Sequence, residues 1–280
     1  MKGRLIKVCS DGYIVKSGDT RYSCRARGKL KTSGQGVFVG DYVEMENGVI
    51  TKIYPRKNQL IRPRVSNVDA VIIVVAVEPK PDFYLIDKML INSQVNNLET
   101  LIVVNKLDTN TDIMREIEEQ YGKHYNVKGI SALEGQGIEE IRQFLRGKTV
   151  VLAGQSAVGK TSIVNSLFNL DEKVGGLSEK ISRGKHTTTY SEIFTDEDVS
   201  IIDSPGFAQI EAFVDIKDLP SLYPEYIEHS EMCKFRGCTH TNEPDCQIKK
   251  MVEEGKLNRD RYNRYKEIYI KVKNRREDYE

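Results

Sequence analysis

The sequence has no long apolar run, little cysteine, almost no net charge and no internal repeat, and each shortage removes a class of protein. The longest apolar stretch, Ala70 to Val77, falls far short of the roughly 20 residues a membrane-spanning helix needs. Five cysteines, unevenly placed, are too few for a disulfide scaffold, and three of them, Cys233, Cys238 and Cys246, sit close to His240. That grouping points to a metal rather than to oxidation. Met1-Lys2-Gly3-Arg4 leads straight into strand-like sequence rather than an apolar leader, so a soluble cytoplasmic protein with no membrane partner is expected. With 280 residues, 39% of them hydrophobic, the chain has the length for about two domains and the apolar material for their cores.

The net charge of +1 conceals an asymmetry. Residues 1–64 hold 14 Lys+Arg against 5 Asp+Glu, residues 65–246 hold 17 against 29, and residues 247–280 hold 11 against 7. An acidic middle between basic ends suits a domain that works on a small anionic ligand, carried between arms that meet a polyanion. The plain alternative is solvated surface charge.

Short alternating runs such as Arg4-Leu5-Ile6-Lys7-Val8 and Tyr42-Val43-Glu44-Met45, parted by Ser10-Asp11-Gly12, Ser17-Gly18-Asp19 and Glu46-Asn47-Gly48, predict hairpins. In a small basic segment they favour a five-stranded barrel of the OB type, with an SH3-like barrel as the other solution. Cys9 and Cys24 are expected to be packing residues there. From Asp69 the pattern becomes near-continuous apolar strands, Val71 to Val77, Leu101 to Val104, Val150 to Ala153 and Val199 to Ile202. Helical spacing appears between them over Phe83 to Leu98, Asp112 to Tyr121, Ile138 to Leu145 and Lys160 to Leu167. Strands of that kind are buried on both faces of a parallel sheet. A Lys/Arg/Tyr-rich helix is expected from about Lys249 onward. The expected units are 1–62, a β-barrel; 63–212, an α/β domain; and 213–280, a helical metal-binding segment.

Three motifs carry chemistry. Gly154-Gln155-Ser156-Ala157-Val158-Gly159-Lys160-Thr161-Ser162 contains G-x4-G-K-[ST] between a strand and a helix, the setting of a phosphate-binding loop. Its backbone N–H groups and the helix N-terminus cradle phosphates, Lys160 reaches the β/γ phosphates, and the Thr161 hydroxyl ligates Mg²⁺. Asp203, at the end of an apolar strand, is placed to hold Mg²⁺, and Gly206 to sense the γ-phosphate. The threonine run after Arg183 can supply a switch hydroxyl, with Thr188 the candidate; which threonine of the run does so is open.

The base-reading motif is Asn105-Lys106-Leu107-Asp108. The Asp108 carboxylate can accept two hydrogen bonds from guanine, the Lys106 stem can lie along the ring, and a buried carboxylate left unpaired by adenine rejects ATP. Ser131 and Ala132, after a further predicted strand, can place a backbone N–H on guanine O6. These loops precede Gly154, whereas the usual G domain has its phosphate loop first. Because domain termini often lie close together, joining the old ends through Arg146-Gly147-Lys148 leaves the site intact. The third motif, Cys233-x4-Cys238-x-His240-x5-Cys246, has the donors of one tetrahedral, structural Zn²⁺.

The order of these motifs, the basic N-terminal barrel and the Cys/Cys/His/Cys site together resemble the bacterial ribosome small subunit-dependent GTPase A family over essentially the whole chain. The resemblance implies a circularly permuted P-loop G domain with an OB-type barrel before it and a helical zinc domain after it. It further implies GTP/GDP and Mg²⁺ as ligands, and binding as a monomer to the 30S ribosomal subunit and its 16S rRNA. GTP hydrolysis stimulated by that particle would act late in its maturation. The residue after Gly206 is Phe207, which has no polar atom to orient water, and the resemblance points instead to His186 as the catalytic group alongside Lys160. Two other classes fit the same sequence: an RNA-docking protein whose nucleotide is structural, and a regulator of another protein.

Overall fold

Alternation builds the first unit. A computed structural model describes residues 1–28, 30, 36–60, 63–109, 111–168, 191–196, 198–203 and 214–277. Strands β1 (Lys2–Val8), β2 (Tyr13–Ser17), β3 (Thr20–Ala26), β4 (Tyr42–Glu46) and β5 (Val49–Ile53) turn Leu5, Val15, Cys24, Val43, Met45 and Ile50 inward. Their polar neighbours face out, as a period of two dictates. β1 pairs antiparallel with both β2 and β4, β2 with β3, and β4 with β5, while β3 and β5 run parallel. The ring therefore closes in the order β1-β2-β3-β5-β4, which decides for the OB-type barrel over the SH3-like one. Cys24 is buried with its Sγ 3.4 Å from Met45 Sδ, a packing role; Cys9 is half-buried.

A two-stranded link, β6 (Gln59–Leu60) and β7 (Val65–Ser66), follows, pinned to the barrel by buried Asp41. Its carboxylate accepts from Arg56 Nε at 2.7 Å, from Ser66 Oγ at 2.7 Å and from the Phe38 N–H at 2.8 Å.

The central sheet comprises β8 (Ala70–Ala76), β9 (Glu99–Asn105), β10 (Asn126–Gly129), β11 (Thr149–Ala153), β12 (Glu192–Asp196) and β13 (Val199–Asp203), in the order β10-β9-β8-β11-β13-β12. All pair parallel except β12, which is antiparallel to β13 and also meets β1, so barrel and sheet are continuous. Val71, Ile73 and Val75 face one core with Ile86, Met89 and Leu90 of helix α1 (Phe83–Val95) and Ile117 of α2 (Asp112–Tyr121). Ala70, Ile72 and Val74 face the other, with Ile141 and Leu145 of α3 (Ile138–Leu145) and Ile163, Val164 and Leu167 of α4 (Lys160–Phe168). Burial on both faces is why these strands carry no polar alternation.

Helix α1 stops at Val95, short of Leu98, because Asn97 takes a left-handed φ of 50° and the Leu98 N–H turns back to Ser93 O. Gly147, in the tight joint between α3 and β11, has φ 68° and donates to Asp198 O at 2.9 Å.

The C-terminal unit holds a 3₁₀ turn (Leu219–Leu222), then α5 (Pro224–Ser230), α6 (Gln247–Glu253) and α7 (Arg259–Glu277). The single helix expected from Lys249 is thus two. Gly255, at φ 72°, ends the first, and Asn258 caps the second by accepting from the Arg261 N–H at 2.8 Å. Tyr223, Tyr226 and Tyr265 stack with Leu219, Ile248 and Ile91 of α1 in its core. Among the described residues no helix is long and apolar enough to cross a membrane.

Candidate functional site

Every predicted nucleotide motif within the described residues sits at the C-terminal end of a parallel strand, the crevice where open α/β sheets bind ligands. Gly154 follows β11, Lys106 to Asp108 follow β9, Ser131 and Ala132 follow β10, and Asp203 ends β13.

The phosphate loop is fixed by close approach. Gly154 has φ 134°, and a Cβ there would lie 2.1 Å from the Val74 carbonyl oxygen, so only glycine fits. Gly159, at φ 96°, would place a Cβ 2.2 Å from Asn105 Nδ2. Ala157 holds a φ of 65°, a strained value for a residue with a side chain, at about 1–2 kcal/mol. Lys160 Nζ donates to the loop's own carbonyls, Gly154 O at 2.9 Å and Gln155 O at 2.6 Å. Burial lowers the pKa of this ammonium, with the Asp203 charge opposing. The Gln155 side chain faces α1: its Oε1 accepts from the Asp82 N–H at 3.0 Å, and its Nε2 donates to Lys80 O at 3.3 Å. Ser156, Thr161 and Ser162 complete the loop and the first turn of α4.

Asn105 joins three loops. Its Nδ2 donates to Val158 O at 3.0 Å, and its Oδ1 accepts from the Ala132 N–H at 3.0 Å, both bonds buried. That occupies the Ala132 N–H, one of the backbone donors of the loop expected to reach guanine O6. Lys106, at φ 68°, reaches across to Ala157 O at 2.9 Å and Glu78 O at 2.7 Å. Asp108 Oδ1 accepts from Ser131 Oγ at 2.6 Å, which orients the carboxylate and leaves its second oxygen to a ligand. The bracing by Asn105 and Gln155 was not legible in the motifs. His186, Thr188, Gly206 and Phe207 lie outside the described residues.

The ligand atoms of Cys233, Cys238, His240 and Cys246 all lie within 4.8 Å of one another. Cys233 Sγ is 3.9 Å from Cys246 Sγ and 3.7 Å from His240 Nδ1, and Cys246 Sγ is 3.4 Å from the same nitrogen. Zinc bonds of about 2.3 Å to sulfur and about 2.0–2.1 Å to nitrogen give tetrahedral edges of roughly 3.5–3.8 Å, so the set fits that ion. Burial pushes the Cys238 thiol up to about 12, the Cys246 sulfur adding to it, so thiolates here call for a cation. Tyr262 OH donates to His240 O at 2.8 Å and Tyr265 OH to Thr239 O, tying the ligand loop to α7.

A charged cluster that the sequence reading missed pins this unit to the sheet. Asp87 of α1, buried, accepts from Tyr121 OH at 3.0 Å and pairs with Arg261 Nε at 3.3 Å and Arg264 Nε at 2.5 Å; Arg261 also pairs with Glu225 at 2.8 Å. Burial alone would lower the Arg261 pKa, but Glu225 and Asp87 outweigh it and raise it. A lone aspartate on the buried face of a helix was the available signal.

Residues 53–213 match the family model described as RsgA GTPase, and residues 2–51 match the RsgA N-terminal domain. The chain is similar to the small ribosomal subunit biogenesis GTPase RsgA of Agathobacter rectalis, 39% identical over 98% of this chain and 99% of that one. The protein of the same name from Clostridium botulinum is 38% identical over 97% and 96%. Among solved structures, YjeQ from Thermotoga maritima superposes with a TM-score of 0.79 at 34% identity, covering 97% of this chain and 98% of that one. YloQ, described as a circularly permuted GTPase, gives 0.75 at 31%, covering 98% and 95%.

Proposed function

Since the chain belongs to the RsgA GTPase family, we propose that it hydrolyses GTP to GDP and phosphate while bound to the small ribosomal subunit, and that this turnover acts in the subunit's maturation. The observation that carries the reading is Asn105, whose side chain locks the phosphate loop to both base-reading loops. A protein that only docked RNA would not need the three loops held in one register.

In this reading guanine lies against Lys106 and hydrogen-bonds to the Asp108 carboxylate, which Ser131 holds in place. Phosphates displace the loop carbonyls around Lys160, whose ammonium then neutralises charge on the β/γ oxygens. Thr161, Thr188 and Asp203 are the residues that would hold Mg²⁺, which supplies charge neutralisation at the phosphates. Gly206 reports the γ-phosphate. His186 positions the attacking water in place of the glutamine that Phe207 excludes, and an imidazole can accept from water or donate to phosphate. One Zn²⁺ on Cys233, Cys238, His240 and Cys246 is structural, because the protein supplies all four donors. The units are 1–62, 63–212 and 213–280, the chain is a monomer in the cytoplasm, and the contact on the 30S particle includes 16S rRNA.

The test is GTP hydrolysis with and without purified 30S subunits, for the unaltered chain and for His186→Ala. Strong stimulation is expected, with the variant binding GTP nearly normally and losing roughly 10²-fold of the stimulated rate. No stimulation of the unaltered chain would overturn the ribosomal reading. A variant rate within about threefold would remove His186 from the chemistry.

A further inference from the structure

Barrel and sheet meet where Lys7 of β1 stands in register opposite Glu192 of β12. On its other side Glu192 stands opposite Asp203, the last residue of β13. Residues directly opposite in neighbouring strands send their side chains to the same face of a sheet, so Lys7, Glu192 and Asp203 form one row across β1, β12 and β13. The face is set two residues further along, where the opposed pair Phe194 and Ile201 packs into the core that α4 shares. Lys160 and Thr161 open that helix, and the Asp203 charge opposes the lowering of the Lys160 pKa by burial. The row thus runs from the barrel to the carboxylate that fits a Mg²⁺ site.

Like charges directly opposite one another destabilise a strand pair, so Glu192 beside Asp203 calls for an offset. Lys7 provides one: its ammonium pairs with the Glu192 carboxylate, both side chains half-buried. Neighbouring bonds fix the barrel at this place. Arg4 Nη2 donates to Thr149 Oγ1 at 2.6 Å, and Lys16 Nζ donates to Thr195 Oγ1 at 3.2 Å. An ion pair that only braced two domains could stand anywhere along β12, yet this one stands at the residue in register with Asp203.

We propose that Glu192 tunes the Mg²⁺ affinity of the nucleotide site through its charge beside Asp203, and that Lys7, supplied by the barrel, offsets that charge. The assignment rests on the reading above in which Asp203 holds Mg²⁺, and adds a barrel residue to the groups that set the site's affinity for the ion. In water a unit charge about 8 Å from a divalent ion changes its binding about fivefold; one strand further away, and partly screened, it changes binding about twofold.

The test is a Mg²⁺ titration of the full chain with a fluorescent, non-hydrolysable GTP analogue at low salt, read as the Mg²⁺ concentration at half-maximal signal. Glu192→Gln should raise that concentration about fivefold, Lys7→Gln should lower it about twofold, and the double variant should return to within about twofold of the unaltered chain. Salt at about 1 M, where the Debye length is about 3 Å, should erase these differences. A structural brace behaves differently, because loss of either partner breaks the same ion pair: both single variants would then move the Mg²⁺ demand in one direction, as they move a thermal melt. Shifts of the same sign, or a Glu192→Gln shift below about 1.5-fold, would overturn the assignment. Asp203→Asn, titrated alongside, separates the two failures. An unchanged Mg²⁺ demand in that variant removes the Mg²⁺ reading and the tuning with it, whereas a raised demand with Glu192→Gln silent removes the tuning alone.

Discussion

Replacing Asn105 by alanine deletes a side chain that ties the phosphate loop to the Ser131–Ala132 loop, and it should cost most of the nucleotide affinity. Two buried groups lose their partners, the Val158 carbonyl and the Ala132 N–H, each bonded at 3.0 Å. An orphaned buried polar group costs about 1–3 kcal/mol, and both loops can relax somewhat toward water, so the sum falls at about 2–4 kcal/mol. At about 1.4 kcal/mol per tenfold, that is roughly a 30- to 700-fold weaker Kd. The side chain also packs against Gly159, so its loss frees the turn that aims the loop. The loops lie at strand ends, with Val158 and Ala132 on the margin of the second apolar core, so the loss should appear chiefly in binding, with a smaller loss of sheet stability beside it. Equilibrium titration with a fluorescent GDP analogue measures it, with a circular dichroism melt as the control for folding. Asn105→Asp separates the two bonds: it keeps an acceptor for Ala132 but sets a carboxylate against the Val158 carbonyl, and should be no better than alanine. A Kd within about threefold of the unaltered chain in either variant would refute the bracing argument.

Asp108→Asn should move preference from guanine toward xanthine nucleotides, because the swapped group matches the changed ring edge; competition binding checks it, and unaltered GTP selectivity would remove Asp108 from the base site. The purified protein should contain about one Zn²⁺ per chain, and Cys238→Ser should loosen the C-terminal unit while sparing nucleotide binding. Metal analysis and limited proteolysis read this out, and an absence of zinc in chelator-free preparations would sink it. Asp87→Ala takes from Arg264 its carboxylate partner and leaves Arg261 with Glu225 alone, and should lower stability by about 3–5 kcal/mol in denaturant titration, as removal of one partner from a buried ion pair does. A loss below about 1 kcal/mol would show the cluster to be solvated in solution.

Each motif's chemistry was legible where a contiguous stretch carries it. A phosphate loop needs glycines at Gly154 and Gly159, where close backbone approach excludes any side chain, and a zinc site needs four donors, here drawn from one fourteen-residue loop segment. The sheet strands were equally legible, because β8 is apolar at every position, and that happens only when both faces are covered. The permuted order of the loops also stood in the sequence, since it is a fact about order alone. Tertiary structure decided what depends on pairing at a distance. Alternation in β1 to β5 suits either barrel, and only the return of β4 onto β1 with a parallel β3–β5 pair selects the OB-type ring. Asn105 reads in sequence as part of a base motif, and its partners, 27 and 53 residues away, are supplied by strands that folding brings side by side. The same holds for Asp87, whose charge among apolar neighbours makes sense only once α7, more than 170 residues later, lays Arg261 and Arg264 across it. Sequence specifies the groups that must be near a ligand because those are local; which groups hold one another waits for the packing that removes them from water.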